Sequence, residues 1–187
     1  MILAQVTLSG LEQMADGADK ARTYLNEAIE ANSQFLPAYS LLAQVDAMQG
    51  KLGDAVTKYE KLIELNPEAL QYRTLLAMTH EQLGDFEKAA TTYEEILNIS
   101  PRFGIAANNL AWLIAENLNG NLDDALKYAL LAKEELPKLS AVADTLGWIY
   151  HKKGSSRAAL QLIEEAVDIE SEAVSYTHLT LPTICSV

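Results

Sequence analysis

Gly50 and Gly84 stand 34 residues apart, and so do Ala55 and Ala89, Tyr59 and Tyr93, and Pro67 and Pro101. Several residue types recurring at one period define a tandem repeat, and each unit of such a repeat buries its apolar face only against its neighbours. The unit from Leu36 to Pro67 displays the parts. Tyr39, Leu42 and Val45 fall at helical steps, with Ala38 and Leu41 beside them. Gly50 ends that first helix, because glycine takes positive φ without penalty. A second run, Leu52 to Leu65, carries Ala55, Tyr59, Leu62 and Ile63 on one stripe, with Lys58, Glu60, Lys61 and Glu64 mostly off it. Asn66-Pro67 closes the unit, since proline cannot continue a helix and disfavours α geometry in the residue before it.

The copies follow in phase. Leu76-Ala77 answers Leu42-Ala43, and Gly84 to Ala89 answers Gly50 to Ala55. The third copy carries Leu110-Ala111, Gly120, Ala125, Ala132 and Pro137, and its excess length sits near Asn117 to Asn119. The fourth carries Leu146-Gly147, Gly154, Ala159 and Ala166, with Ser171 in place of proline. Upstream, Ala21, Ala28 and Ser33 match Ala55, Leu62 and Pro67, so Ile2 to Ser33 is expected to be a degenerate first copy with its turn at Asp16-Gly17. Small residues mark one rung on each first helix (Ala43, Ala77, Ala111, Gly147) and one on each second helix (Ala55, Ala89, Ala125, Ala159). They let antiparallel helices approach closely.

Helix period, turn glycine, small rungs and closing proline together resemble the tetratricopeptide repeat (TPR) family over about residues 2–171. The resemblance implies an all-α fold, a right-handed superhelical α-solenoid of about five helix-turn-helix repeats. The repeats are expected at about 2–35, 36–69, 70–103, 104–139 and 140–173. First helices are expected near 2–15, 36–49, 70–83, 104–118 and 140–153, and second helices near 18–32, 52–65, 86–99, 122–135 and 156–170.

Beyond residue 173 the repeat logic stops. Val174 to Thr183 is uncharged and resembles the translation of a transposase sequencing adapter, with Ile184 to Val187 as index bases. On this reading, 174–187 is a non-native, unstructured tail and the native protein continues past Ala173. Cys185, the only cysteine, lies in that tail, so 2–173 offers neither a disulfide nor a thiolate metal site.

The net charge is −12, and much of the acid lies on second helices, as at Glu94, Glu95, Glu134, Glu135, Glu164 and Glu165. That pattern suits a solvated outer face, or alternatively a basic partner. It disfavours nucleic acid and anionic membrane surfaces, which need a basic patch. No apolar run of about 20 residues exists to span a membrane. Nor does the sequence display catalytic chemistry. His80 and His151 lack the neighbouring carboxylates or histidines of a metal or acid–base site, and the glycines are turn glycines rather than a phosphate loop. No cofactor is expected.

In the family, first helices line a concave groove that holds a peptide or a partner's helix. Carried over to this chain, Thr74, Asn108 and Asp144 form one rung with Ser40. Gln44, Met78, Trp112 and Trp148 form the next. Met48, Gln82, Glu116 and Lys152 lie further along. The lysine, arginine and asparagine clamp with which related co-chaperones hold a terminal carboxylate is not matched, because only Asn108 and Lys152 fit. The partner-binding residues expected are Met78, Trp112, Trp148, Asn108, Asp144, Gln44 and Thr74. The two tryptophans could instead pack sideways as repeat core. The third and fourth copies resemble repeats of bacterial envelope and exopolysaccharide-export proteins. The resemblance implies a non-catalytic scaffold that binds a protein or peptide; the alternative is an accessory arm of a larger enzyme.

Overall fold

The computed structural model describes residues 2–118 and 120–180, with side chains over 17–118 and 120–171. Among these residues the regular structure is helical, with no strand. The helices are α1 (Ile2–Ala31), α2 (Leu36–Met48), α3 (Leu52–Leu65), α4 (Leu70–Leu83), α5 (Phe86–Ile99), α6 (Gly104–Glu116), α7 (Leu122–Glu135), α8 (Ser140–Lys152) and α9 (Ser156–Thr180). The class is the all-α repeat solenoid that the repeat implies. Helices α2 to α9 lie at the positions expected to within two residues except at the end of α9, and α2 with α3, α6 with α7 and α8 with α9 pack as hairpins.

Backbone chemistry sets those boundaries. Gly50, Gly84 and Gly154 have φ of 72°, 79° and 78°. Each turn carries the paired bonds of a Schellman end: Lys51 N–H donates to Asp46 O at 2.8 Å, Asp85 N–H to His80 O at 2.9 Å and Ser155 N–H to Tyr150 O at 2.8 Å. The third turn differs, as its extra length foretells. Helix α6 ends at Glu116, two residues short of the expected 118. Leu118 N–H reaches back to Leu113 O at 3.0 Å and Gly120 N–H to Ile114 O at 3.1 Å. Gly120 is needed there for space, since a Cβ would stand 2.6 Å from Ile114 Cγ2. Asn121 then caps α7, its side chain accepting from Asp123 N–H at 2.9 Å.

Two expectations are corrected. The first helix pair, expected to turn at Asp16-Gly17, is the single 30-residue helix α1. Gly17 is not among the positive-φ glycines. A lone glycine in a helix costs only about 1 kcal/mol and does not by itself end one. The tail expected to be unstructured from residue 174 continues α9 to Thr180. Nothing between 174 and 180 breaks a helix, and the next proline is Pro182. Residues 181–187, with Cys185, lie outside the described residues.

The chain divides into two compact units, Met1–Thr92 and Tyr93–Val187. In the first, Ala43, Ala55, Tyr59, Leu62 and Leu76 form the core joining α2, α3 and α4. Helix α1 docks on α2 through charge. Asp46, fully buried, pairs with Arg22 of α1 and with Lys58 of α3, the latter at 2.8 Å. In the second unit, Ala111, Ala115, Ala125, Ala129, Leu146 and Ile149 form one cluster, and Ala107, Ala132 and Val142 another. The alanine rungs are buried, and their small side chains let the helices approach closely there.

Candidate functional site

Of the residues expected to bind a partner, Gln44, Thr74 and Met78 belong to the first unit, and Asn108, Trp112, Asp144 and Trp148 to the second. Gln44 is exposed on α2, its amide donating to Ser40 Oγ at 3.4 Å. Thr74 is half-buried on α4 and its hydroxyl donates to Leu70 O at 2.9 Å, so that group is already used within its own helix. Met78 is 43% exposed.

In the second unit the two tryptophans keep accessible faces, at 40% for Trp112 and 36% for Trp148. Small residues beneath them make this possible. Ala111 and Gly147, the preceding residue in each helix, fill the buried rung, so each indole is turned outward. The two are not equivalent. The Trp148 indole N–H donates to Glu116 Oε1 of α6. Its ring stacks on His151 at 5.3 Å and lies 5.8 Å from Lys152 Nζ. Lys152 pairs with Glu116 at 2.5 Å and donates to Ala115 O at 2.7 Å. The hydrogen bonds from Lys152 and Trp148 hold the Glu116 carboxyl below its usual carboxylate range. Trp112 has neither a hydrogen bond nor a ring partner among the described residues.

These contacts define the offset between two parallel helices. Glu116 of α6 meets Trp148 and Lys152 of α8. One helical turn back on both, the same offset sets Trp112 of α6 at the level of Asp144 of α8. Asp144 is exposed and no ion pair engages it among the described residues. Asn108, one turn before Trp112, donates to Asn109 Oδ1 at 3.2 Å, and Asn109 donates to Tyr93 Oη at 2.9 Å. Asn108 Oδ1 is buried without a hydrogen-bond partner. The face thus offers an open indole and an exposed carboxylate that makes no ion pair among the described residues.

Glu116 and Lys152 were legible as one rung, but not as the pair that fixes Trp148. Opposite charges at equivalent rungs of successive first helices are the signal that could have found them. His80 also differs from expectation: it is buried, with Asp85 Oδ2 3.8 Å from its Nδ1 across the Gly84 turn. A separate cleft of about 510 Å³ lies among α1, α2 and α3, lined by Ile29, Tyr39, Leu42, Lys58 and Lys61. It includes none of the expected residues. Among the described residues no group of three or more acidic, histidine or cysteine side chains could hold a metal. None of their helices is long and apolar enough to cross a membrane.

Comparison with known proteins places the repeat. Residues 41–102 and 74–140 match a family model described as tetratricopeptide repeat, and residues 143–172 match a second model of the same description. The chain belongs to the tetratricopeptide repeat family. No match was found among curated proteins. Similar solved structures include MamA, with a TM-score of 0.73 at 14% identity, covering 88% of this chain and 95% of MamA. YrrB, described as a TPR protein with an unusual peptide-binding site, has a TM-score of 0.65 at 19% identity, covering 91% and 87%. BtubC from P. vanneervenii has a TM-score of 0.72 at 22% identity, covering 95% and 81%. At these identities the likeness is one of fold alone.

Proposed function

We propose that this TPR protein is a non-catalytic scaffold that binds an extended peptide or partner helix along the first-helix face of its repeats. The observation that carries the reading is Trp112, a large indole left 40% exposed on that face and free of any hydrogen bond or ring contact among the described residues. Aromatic side chains bury much area with few rotors, which is why they dominate binding hot spots. Asn108, half-buried one turn before Trp112, and Asp144, exposed one turn before Trp148, are the polar neighbours of the two indoles for a ligand backbone. Trp148, already fixed by Glu116 and Lys152, forms a rigid wall, which lowers the entropy lost on binding. In the first unit, Met78, Gln44 and Thr74 stand at the corresponding positions of their own first helices, with methionine supplying an adaptable contact. The peptide-binding site for which YrrB is described lends the reading support by analogy. We place the scaffold in a bacterial envelope or export assembly, on the likeness of its third and fourth repeats. As an accessory arm of a larger enzyme it would use the same face.

The test is selection of decapeptides from a displayed random library, followed by titration of the selected peptides. Trp112→Ala is expected to weaken binding by about 2 kcal/mol or more, with the helical melting curve unchanged. Selected peptides that bind Trp112→Ala as tightly as the original chain would rule the face out.

A further inference from the structure

We infer that the Trp112–Asp144 rung reads a cationic side chain, so that the partner presents a lysine or arginine to this face. This rests on the groove reading above and names the chemistry of its ligand.

Three observations lead here. The first is the asymmetry of the two acids on this face. Glu116 is neutralised by Lys152 and by the Trp148 indole N–H. Asp144, one turn back on the neighbouring helix, is exposed and makes no ion pair among the described residues. The second is the asymmetry of the two indoles. The Trp148 ring is occupied by its own cation and by His151. The Trp112 ring has no such occupant, although the helix offset places it beside Asp144. A tryptophan face is the best π surface for a cation, and a carboxylate next to it supplies the ion pair. At Trp148, where Lys152 lies 5.8 Å from the ring and pairs with Glu116 of the preceding first helix, the chain brings the same three kinds of group together by itself. At Trp112 the indole and the carboxylate are present and the cation is missing. The third observation is the charge of the whole chain, −12, which attracts basic segments and speeds their encounter. An acidic ligand has no counterpart here, because the lysine of this face, Lys152, is already paired.

The experiment uses the random decapeptide display library on the intact chain and on four variants, reading residue frequencies in the selected pools. The original chain is expected to enrich lysine and arginine. Asp144→Asn should still select peptides but lose about fivefold of that enrichment, the upper end for an exposed ion pair, while the Trp112 contact remains. Asp144→Lys should turn the preference toward aspartate and glutamate. Glu95→Gln removes the same charge from an exposed site on α5 and should leave the preference intact. Pools from the original chain without basic enrichment, or enrichment that Asp144→Asn keeps or Glu95→Gln loses equally, would overturn the cation reading while leaving the groove in place. A Trp112→Ala pool identical to the original, or no selection at all, would overturn the groove reading itself.

Discussion

The Trp148 indole N–H donates to the Glu116 carboxylate, joining α8 to α6 across the face where the indoles emerge. Because Lys152 pairs with the same oxygen, one carboxylate orients both an aromatic ring and a cation. Glu116→Leu removes both contacts. Its half-exposed position limits the expected loss of stability to about 1 kcal/mol. The sharper readout is spectroscopic. In a ¹H–¹⁵N spectrum the Trp148 indole resonance should move on this substitution and the Trp112 resonance should stay. An unmoved Trp148 signal would mean the hydrogen bond does not form in solution.

Asp46 holds α1 to the first hairpin. It is fully buried, while Arg22 and Lys58 keep side-chain exposures of 22% and 21%. Removing one member of a buried pair costs about 3–5 kcal/mol, and partial hydration of the stranded cations lowers that. Asp46→Ala is therefore expected to destabilise the chain by about 2–3 kcal/mol in urea unfolding. Arg22→Ala should act more narrowly. Lys58 still neutralises Asp46 between α2 and α3, so amide exchange should quicken in residues 17–31 of α1 before it quickens in α3. Equal quickening in both helices would show that the pair does not anchor α1.

What the sequence made legible was what local chemistry decides. Helices α2 to α8 fall where glycines of positive φ, closing prolines and alanine rungs place them, because each boundary is encoded within a few residues. Gly17 misled, since a glycine ends a helix only where the chain takes the left-handed turn, and nothing after Gly17 opens a new helix as Leu52 does after Gly50. The end of α9 was missed for the converse reason: a segment without repeat logic still lacks a helix breaker before Pro182. On the candidate site, the rung of Trp112 and Trp148 was readable from the period. Their difference was not, because it depends on the offset between parallel helices. Asp46 could have been noticed as the sole charge in the helix Leu36–Met48.

The alanine rungs predict an overpacking penalty. Ala125 is fully buried and packs in one cluster with Ala111, Ala129 and Leu146. Ala125→Leu must push α7 away from its neighbours and is expected to cost about 1–3 kcal/mol. Glu95→Ala, on an exposed face of α5, should stay within about 0.5 kcal/mol. Chemical denaturation of the two variants checks this, and equal effects would mean that the rung is not the point of closest helix approach.

His80 predicts a pH dependence. Burial lowers its pKa below the ordinary 6.5, with Lys88 adding to the shift and Asp85 and Glu60 opposing it. A group whose folded pKa is depressed binds more protons unfolded than folded in the interval between the two values. Above 6.5 the imidazole is neutral in both states and has no effect. As pH falls below 6.5 toward the folded value, stability falls, and the loss levels off once both states are charged. His80→Gln cannot titrate. The difference in stability between it and the original chain should therefore be constant above pH 7, and should shift in favour of the variant as pH drops from about 6.5 toward 5. Asp85 and Glu116, both held below their usual pKa values, lose their own contributions only at more acid pH, so they leave this window clear. Urea denaturation of both proteins in half-unit steps between pH 5 and 8 measures the difference directly, and parallel curves across the range would show that His80 is not desolvated in the folded chain.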